Sequence, residues 1–177
     1  MIDMGRDGRI FKTKDKGLMK LFGTAIDMDR RPIAAFTRNI SVISTEQFET
    51  MLAPSLLTEF PQDLANSNLF YSGIYEDGWI SPDSYLYLTH LNSQNKFVLK
   101  GFIPLWKNPN YSTILVVKMN HKIVATKKLV LGDFDINIPA PKKTGKIKIS
   151  IHFTNVEFLH APDNRPIGAK IIRLGFI

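Results

Sequence analysis

The feature that most constrains the fold of this chain is the regular alternation of apolar and polar residues in its second half. Residues 146–153 read "KIKISIHF", and the apolar residues take every second position, at Ile147, Ile149, Ile151 and Phe153. Because successive side chains of a β-strand point to opposite faces, this period predicts a strand with one face in the core. Residues 133–138, "DFDINI", alternate in the same way.

Further strands follow one another with no helical pattern between them. "KFVLKGFIPLW" and "STILVVKM" predict more deeply buried strands, and Asn120-His121 predicts a tight hairpin turn. Closely spaced strands favour an antiparallel arrangement over a parallel α/β sheet. We therefore predict an all-β, mostly antiparallel β-sandwich, jelly-roll or immunoglobulin-like, with one or two short helices.

The predicted helices lie in the first half of the chain. "STEQFETML" carries a capping-box pattern, Ser44 followed by Gln47, and predicts a short helix near 45–52. "PQDLANS" predicts a second one, whereas "RIFKTKD", "LMKLFGTAID" and "PIAAFTRNISVI" are strand-like. We expect an amino-terminal strand-rich extension or subdomain over 1–53, a connecting segment over 54–68 and the main β-sandwich over 69–177.

The net charge of +7 is concentrated in the carboxy-terminal half. Residues 96–177 hold fourteen Lys and Arg against four Asp and Glu, whereas residues 1–95 hold nine against twelve. Such a field attracts nucleic acid, anionic lipid or acidic polysaccharide, although lysine on strand faces also discourages edge-to-edge aggregation. Arginine is scarce in the basic half, at Arg165 and Arg173 alone, so we do not expect a nucleic-acid partner.

Several classes of protein are disfavoured by what the sequence lacks. No apolar run approaches the roughly 20 residues that cross a bilayer, so we expect no membrane span. The start, "MIDMGRDGRIFKTKDKG", has no apolar core of a signal peptide. Cysteine is absent, which excludes disulfides and thiolate chemistry. Phosphate-binding glycine loops and nucleophile elbows are also missing, so we expect neither a cofactor nor an enzyme.

Three acidic residues near the tryptophan at position 79 raise the question of a hydrolase. Glu76, Asp77 and Asp83 could supply the two carboxylates of a glycosidase, but "EDG" and "SPD" have the composition of two turns. We therefore favour a structural role over catalysis.

Metal ligation is disfavoured as well. The four histidines lack the spacing of a metal site, and we predict none. The strand face that holds Asp133, Asp135 and Asn137 could offer oxygens to Ca²⁺, yet a solvated face is the favoured interpretation.

The aromatic residues of "YSGIYEDGWISPDSYLYL" suggest a carbohydrate-binding surface. Tyr85 and Tyr87 lie two positions apart, so their rings project from one face of a strand. Rings of this kind, with Trp79, can stack on a sugar while Asp77 and Asp83 accept hydrogen bonds from its hydroxyl groups. The alternative is that the amino-terminal segment covers both tyrosine rings and that each hydroxyl finds one partner.

The order of short motifs in the second half resembles a known family. It is similar to the β-sandwich accessory domains attached to bacterial envelope glycosyltransferases and polysaccharide-biosynthesis proteins. The resemblance covers roughly residues 69–177. Its matching residues are Gly78 and Trp79, Gly101 and Pro104, Gly132 to Phe134, and Asp163, Arg165 and Gly168.

This resemblance implies a noncatalytic, carbohydrate-binding-like module outside the cytoplasmic membrane, in the periplasm or at the cell surface. Its expected partners are an oligosaccharide or acidic polysaccharide and an envelope glycosyltransferase. The chain lacks a transferase's catalytic domain, so transfer activity is not implied. The alternative function is a structural or protein-interaction domain with no small ligand. Asp163 and Arg165 are also consistent with an ion pair that holds the last loop against the sheet.

Overall fold

The computed structural model describes residues 25–26, 32–33, 45–105, 108–159, 163 and 165–177. It divides the chain into two compact units, Met1–Thr50 and Met51–Ile177. In the first unit, strands β1 (Ala25–Ile26) and β2 (Pro32–Ile33) pair antiparallel, and helix α1 spans Thr45–Thr50. The helix lies where the capping pattern predicted it. The predicted strand "RIFKTKD" and the capping residue Ser44 fall outside the described residues.

The second unit contains eleven described strands and one short 3-10 helix, Gln62–Ala65, at the position of "PQDLANS". In chain order the strands are β3 (Leu56–Leu57), β4 (Tyr71–Ile74), β5 (Trp79–His90), β6 (Lys96–Ile103), β7 (Ser112–Met119), β8 (Lys122–Val130), β9 (Gly132–Pro139), β10 (Gly145–Phe153), β11 (Glu157–Phe158), β12 (Pro166–Ile167) and β13 (Ala169–Phe176).

Nine of these strands form one antiparallel sheet that is nearly closed. Its path runs β8-β7-β10-β5-β13-β6-β9, with β3 added beside β13 and β4 beside β5. The two end strands, β8 and β9, are consecutive in the chain and are joined by Leu131 alone, so the ends of the sheet meet at that corner. Strands β11 and β12 form a separate pair. The predicted all-β, mostly antiparallel fold is confirmed.

The alternating runs bury the face that the sequence predicted. In β10, Ile147, Ile149, Ile151 and Phe153 are all at most 1% exposed. The polar residues between them lie on the other face and are half-buried or exposed. The inward residues of β5, which include Ile80, Leu86 and Leu88, join the same core. One continuous apolar layer therefore lines the inside of the sheet.

The hairpin between β7 and β8 has the turn that the sequence predicted. Asn120 and His121 have φ angles of 45° and 73°. Positive φ at both central residues is the geometry of a type I′ turn, whose twist matches that of the flanking strands. The asparagine also ties the turn to β10, because its side-chain oxygen accepts a 3.0 Å hydrogen bond from the backbone N–H of Lys148.

The prediction of a second turn at "SPD" is wrong, because Ser81, Pro82 and Asp83 lie inside β5. Proline is tolerated there because the ladder is interrupted around it. The β4–β5 register shifts between Ser72 and Ile74, and β10 pairs with β5 only from Asp83 onward. A proline at a bulge leaves no ladder hydrogen bond unmade.

The last strand, β13, lies between β5 and β6. It pairs with β6 through Lys170 and Phe102 and with β5 through Lys170 and Trp79. A side chain at Gly101 would overlap the backbone carbonyl oxygen of Lys170. Glycine at position 101 therefore allows the backbones of β6 and β13 to approach each other. The pairing brings the side chains of Trp79, Lys170 and Phe102 together on the outer face.

Membrane crossing by a helix is not supported in the part of the chain that the structure describes. No helix there has both the length and the apolar character that a bilayer span requires.

We expect Ile149→Ala to lower the free energy of unfolding by about 2 to 5 kcal/mol, because it would leave a cavity in the core. The neighbouring Lys148→Ala, which removes the outward cation–aromatic contacts with Tyr85 and Tyr87, should cost less than about 1 kcal/mol. Urea denaturation of both variants measures the difference. Equal losses would show that the facing of β10 is wrong.

Candidate functional site

The turn between β4 and β5 positions Trp79 at the start of its strand. The backbone N–H of Gly78 donates to the carbonyl oxygen of Tyr75, and the N–H of Tyr75 donates to that of Trp79, both at 2.8 Å. Gly78 has a φ of 81°, and a Cβ there would lie 3.1 Å from the carbonyl oxygen of Ile171 in β13. The turn therefore requires glycine both for its conformation and for its contact with the last strand.

Trp79, Lys170 and Phe102 form a row across three neighbouring strands on the outer face. The ammonium of Lys170 lies 5.3 Å from the Trp79 ring centroid, within the range of a cation–π contact. The Trp79 and Phe102 rings meet edge to face, with centroids 6.1 Å apart and planes at 62°. These three residues are half-buried, so each presents part of its surface to solvent. We call them the Trp79 row.

Beside the row, Arg165 connects two carboxylates and an aromatic ring. Its Nε donates to both oxygens of Asp163, at 3.0 and 2.9 Å, and its Nη2 donates to Asp163 at 2.7 Å and to Asp77 at 2.5 Å. Its Cζ lies 4.4 Å from the ring centroid of Tyr75. We call these four residues the Arg165 clamp; it fastens the loop before β12 to the β4–β5 turn.

The clamp shifts the titration of its charged groups. Partial burial raises the pKa of Asp77, but hydrogen bonds from Arg165 and the Trp79 N–H, with the charges of Arg165 and Lys170, outweigh it and hold the pKa below its ordinary value. Hydrogen bonding from Arg165 likewise lowers the pKa of Asp163. The same bonds raise the pKa of Arg165. The guanidinium and the two carboxylates of the clamp are thus charged at neutral pH.

The structure divides the predicted sugar-binding residues between two places. Trp79 and Asp77 belong to the row and the clamp, whereas Asp83, Tyr85 and Tyr87 lie further along β5. Trp79 and Tyr85 are six positions apart along the strand, or roughly 20 Å. One sugar ring cannot contact both.

The second place, which we call the tyrosine pair, is centred on Tyr85 and Tyr87. Their rings stand at 88° with centroids 6.2 Å apart. The ammonium of Lys148 lies 4.5 Å from the Tyr85 centroid and 5.9 Å from that of Tyr87. Two residues beyond Tyr85's partner in β10, His152 pairs with Asp83, and its Nδ1 lies 2.6 Å from Oδ1 of Asp83. Lysine and histidine from β10 therefore already engage this part of the predicted site.

Sequence reasoning missed several residues of these clusters. Tyr75, Phe102 and Lys170 surround the predicted site, and their contacts come from strand pairing across β5, β13 and β6. A signal existed for Lys170, since alternation in "AKIIRLGF" predicts that it points away from the core. Nothing local to Asp77 indicates that Arg165, 88 positions later, would bind it.

Catalytic and metal chemistry find little support in this geometry. Of the carboxylates considered for hydrolysis, Asp77 is bound to Arg165 and Asp83 to His152. Asp135, considered for Ca²⁺, instead lies 2.5 Å from the Lys100 ammonium. His90 is buried, with each ring nitrogen 3.0 Å from a backbone carbonyl oxygen. Within the described residues, no group of three or more His, Asp and Glu could hold a metal ion.

Comparison with known proteins adds no relative. No protein-family model matches the sequence, and no curated protein matches it either.

We expect the carboxyl carbons of Asp77 and Asp163 to titrate with pKa values below the ordinary aspartate value of 3.8. Because folding depresses both pKa values, the clamp stabilises the fold above about pH 4 and loses that effect as pH falls through the folded pKa values. Carbon-13 NMR over pH 2 to 6 measures this.

Arg165→Gln should bring both pKa values back toward 3.8 and leave that of Asp135, whose pKa the Lys100 hydrogen bond lowers, unchanged. Lys100→Gln is the matched control and should affect Asp135 alone. Values for Asp77 and Asp163 that do not respond to Arg165→Gln would contradict the assigned contacts.

Proposed function

We propose that this chain is a noncatalytic glycan-binding module whose sugar platform is the Trp79 row. The observation that carries the proposal is the convergence of an indole, a phenyl ring and a lysine on one outer face, next to the charged Arg165 clamp. Small-molecule sites typically combine aromatic surface with a few polar groups that fix orientation. A sugar has one apolar C–H face and a rim of hydroxyl groups, and it matches both features.

The clamp supplies hydrogen-bonding groups at the edge of the platform. The side chains of Asp77 and Asp163 remain 44% and 40% exposed although both bind Arg165. An ionised carboxylate has about four lone-pair sites. Asp163 already accepts four hydrogen bonds from Arg165, whereas Asp77 accepts three and retains capacity to accept a bond from a sugar hydroxyl. Because these groups are already held in place by Arg165, little side-chain freedom would be lost on binding.

The Trp79 row is a better platform than the tyrosine pair. The Tyr85 and Tyr87 rings are nearly perpendicular, at 88°, and each ring is smaller than the indole of Trp79. Lys148 also lies over both rings, at 4.5 and 5.9 Å, so a sugar would have to displace it. The indole offers a larger apolar area, and the Lys170 ammonium, 5.3 Å from its centroid, lies farther from it than Lys148 lies from Tyr85.

We further propose that the module acts outside the cytoplasmic membrane, beside an envelope glycosyltransferase. This part of the proposal is supported by the order of motifs from Gly78 and Trp79 to Asp163 and Arg165. The first and last of these motifs lie next to each other in the structure, because Arg165 of the last motif binds Asp77, the residue before Gly78 of the first. The resemblance and the candidate site therefore involve the same residues.

Titration of bacterial envelope oligosaccharides by calorimetry tests the proposal. We expect the unmodified protein to bind at millimolar concentration or better. Trp79→Ala should weaken binding by about five-fold or more, the equivalent of roughly 1 kcal/mol for one aromatic contact. Circular dichroism checks that the variant remains folded.

Tyr85→Ala is the matched control, because it removes a ring from the same strand and the same face. It should leave the affinity unchanged. If Tyr85→Ala abolishes binding and Trp79→Ala does not, the platform has been assigned to the wrong end of β5. The absence of any binding by the unmodified protein at millimolar concentration would contradict the glycan proposal.

A structural or protein-interaction domain without a small ligand is the second candidate. The observation that favours it is the closed set of contacts around Arg165, which binds Asp163, Asp77 and Tyr75 within the chain. On this hypothesis Arg165→Gln would lower the thermal stability, and no oligosaccharide would bind the unmodified protein.

A further inference from the structure

The hairpin of β7 and β8 carries large aliphatic side chains on its outer face that remain open to solvent. Ile114 is 43% exposed, Ile123 63% and Val130 62%. Strand pairing places them on one face with the lysines of the same two strands. Ile114 lies opposite Lys128 and Ile123 lies opposite Lys118. We call these five residues the hairpin patch.

The patch is strongly basic. From residue 84 to residue 132 the chain contains no Asp or Glu, so neither strand of the hairpin carries a negative charge. Lys118 and Lys128 are exposed. No carboxylate in the described part of the chain lies within ion-pair distance of either ammonium. Their charge is therefore available to an outside partner.

Aliphatic groups and lysines alternate within the patch at short range. Cross-strand neighbours have Cβ atoms about 5 Å apart, and successive outward residues on one strand are about 7 Å apart. The rows from Val130 to Ile123 therefore span roughly 20 Å. Each lysine lies next to an isoleucine on the facing strand, so a partner must meet apolar and cationic groups together.

We propose that the hairpin patch binds the surface of an anionic lipid bilayer. Isoleucine and valine would enter the boundary between headgroups and acyl chains, while the lysines contact phosphate or other acidic headgroups. Interfacial segments combine these two features, and each basic residue near an anionic surface contributes to the attraction. The inference does not depend on the proposed glycan site, which involves other strands.

Two other partners fit the patch less well. Single-stranded nucleic acid is bound by stacking of bases on aromatic rings, and none of the five residues of the patch is aromatic. A second copy of the same surface would bring lysines against lysines, and like charges directly opposite one another across strands are destabilising.

Co-sedimentation of the full chain with vesicles tests the proposal. We expect binding to vesicles of three parts phosphatidylcholine and one part phosphatidylglycerol at 0.1 M salt, weaker binding at 0.5 M, and none to pure phosphatidylcholine. Lys118→Gln with Lys128→Gln should weaken binding roughly 10- to 30-fold. Ile123→Ser with Val130→Ser should also weaken it, with little change in thermal stability, because both side chains are mostly exposed.

The matched control is Lys142→Gln with Lys143→Gln, which removes the same charge from exposed residues between β9 and β10. It should keep most of the vesicle binding. Equal weakening by this control would show attraction by net charge alone and overturn the proposal. Failure of the unmodified protein to bind anionic vesicles would overturn it as well. Two further results would overturn it if vesicles do not bind. One is binding of a single-stranded oligonucleotide that the patch substitutions abolish, and the other is a dimer in sedimentation velocity that they abolish.

Discussion

The docking of the last strand, β13, between β5 and β6 is the interaction on which the rest of the structure depends. In the hydrogen-bonded path, β13 joins the group β8-β7-β10-β5 to the pair β6-β9. Its inward residues Leu174 and Phe176 are fully buried, and the ring of Phe176 lies 4.8 Å from that of His90. About 25 cal/mol per Å² of apolar surface favours this burial. The same strand carries Lys170 to Trp79, so it contributes both to the core and to the Trp79 row.

The outer face of the sheet is divided into surfaces of different chemistry. At the end of β5 near β13, aromatic rings lie among charges of both signs, and Arg165 holds two carboxylates in fixed positions. On the hairpin of β7 and β8, aliphatic side chains lie among lysines in a stretch without carboxylates. A fixed pair of charges suits a small polar ligand, whereas repeated single charges suit an extended anionic surface. The two proposals therefore involve separate parts of the chain.

Asp77 shows why a candidate site is harder to predict than a strand. From its neighbours it looked like a hydrogen-bond acceptor for a sugar, and the structure shows it bound to a residue 88 positions away. Pro82 shows the same limit in a different way. Proline within "SPD" indicates a turn in most contexts, yet here it lies where the pairing of β5 with β4 and β10 is interrupted. In both cases a neighbouring strand decides the outcome.

The sequence by itself determined several of the elements and the faces of their strands. Alternation in β10 and β9, the Asn120-His121 turn and the pattern near Thr45 were sufficient, because side-chain direction and turn conformation depend on residues close in the chain. Only the tertiary structure decided which strands are neighbours, and so which outward residues meet. Trp79, Phe102 and Lys170 come from three strands separated by long connections, and their contact depends on pairing energies summed over the whole sheet. No local pattern contains that information.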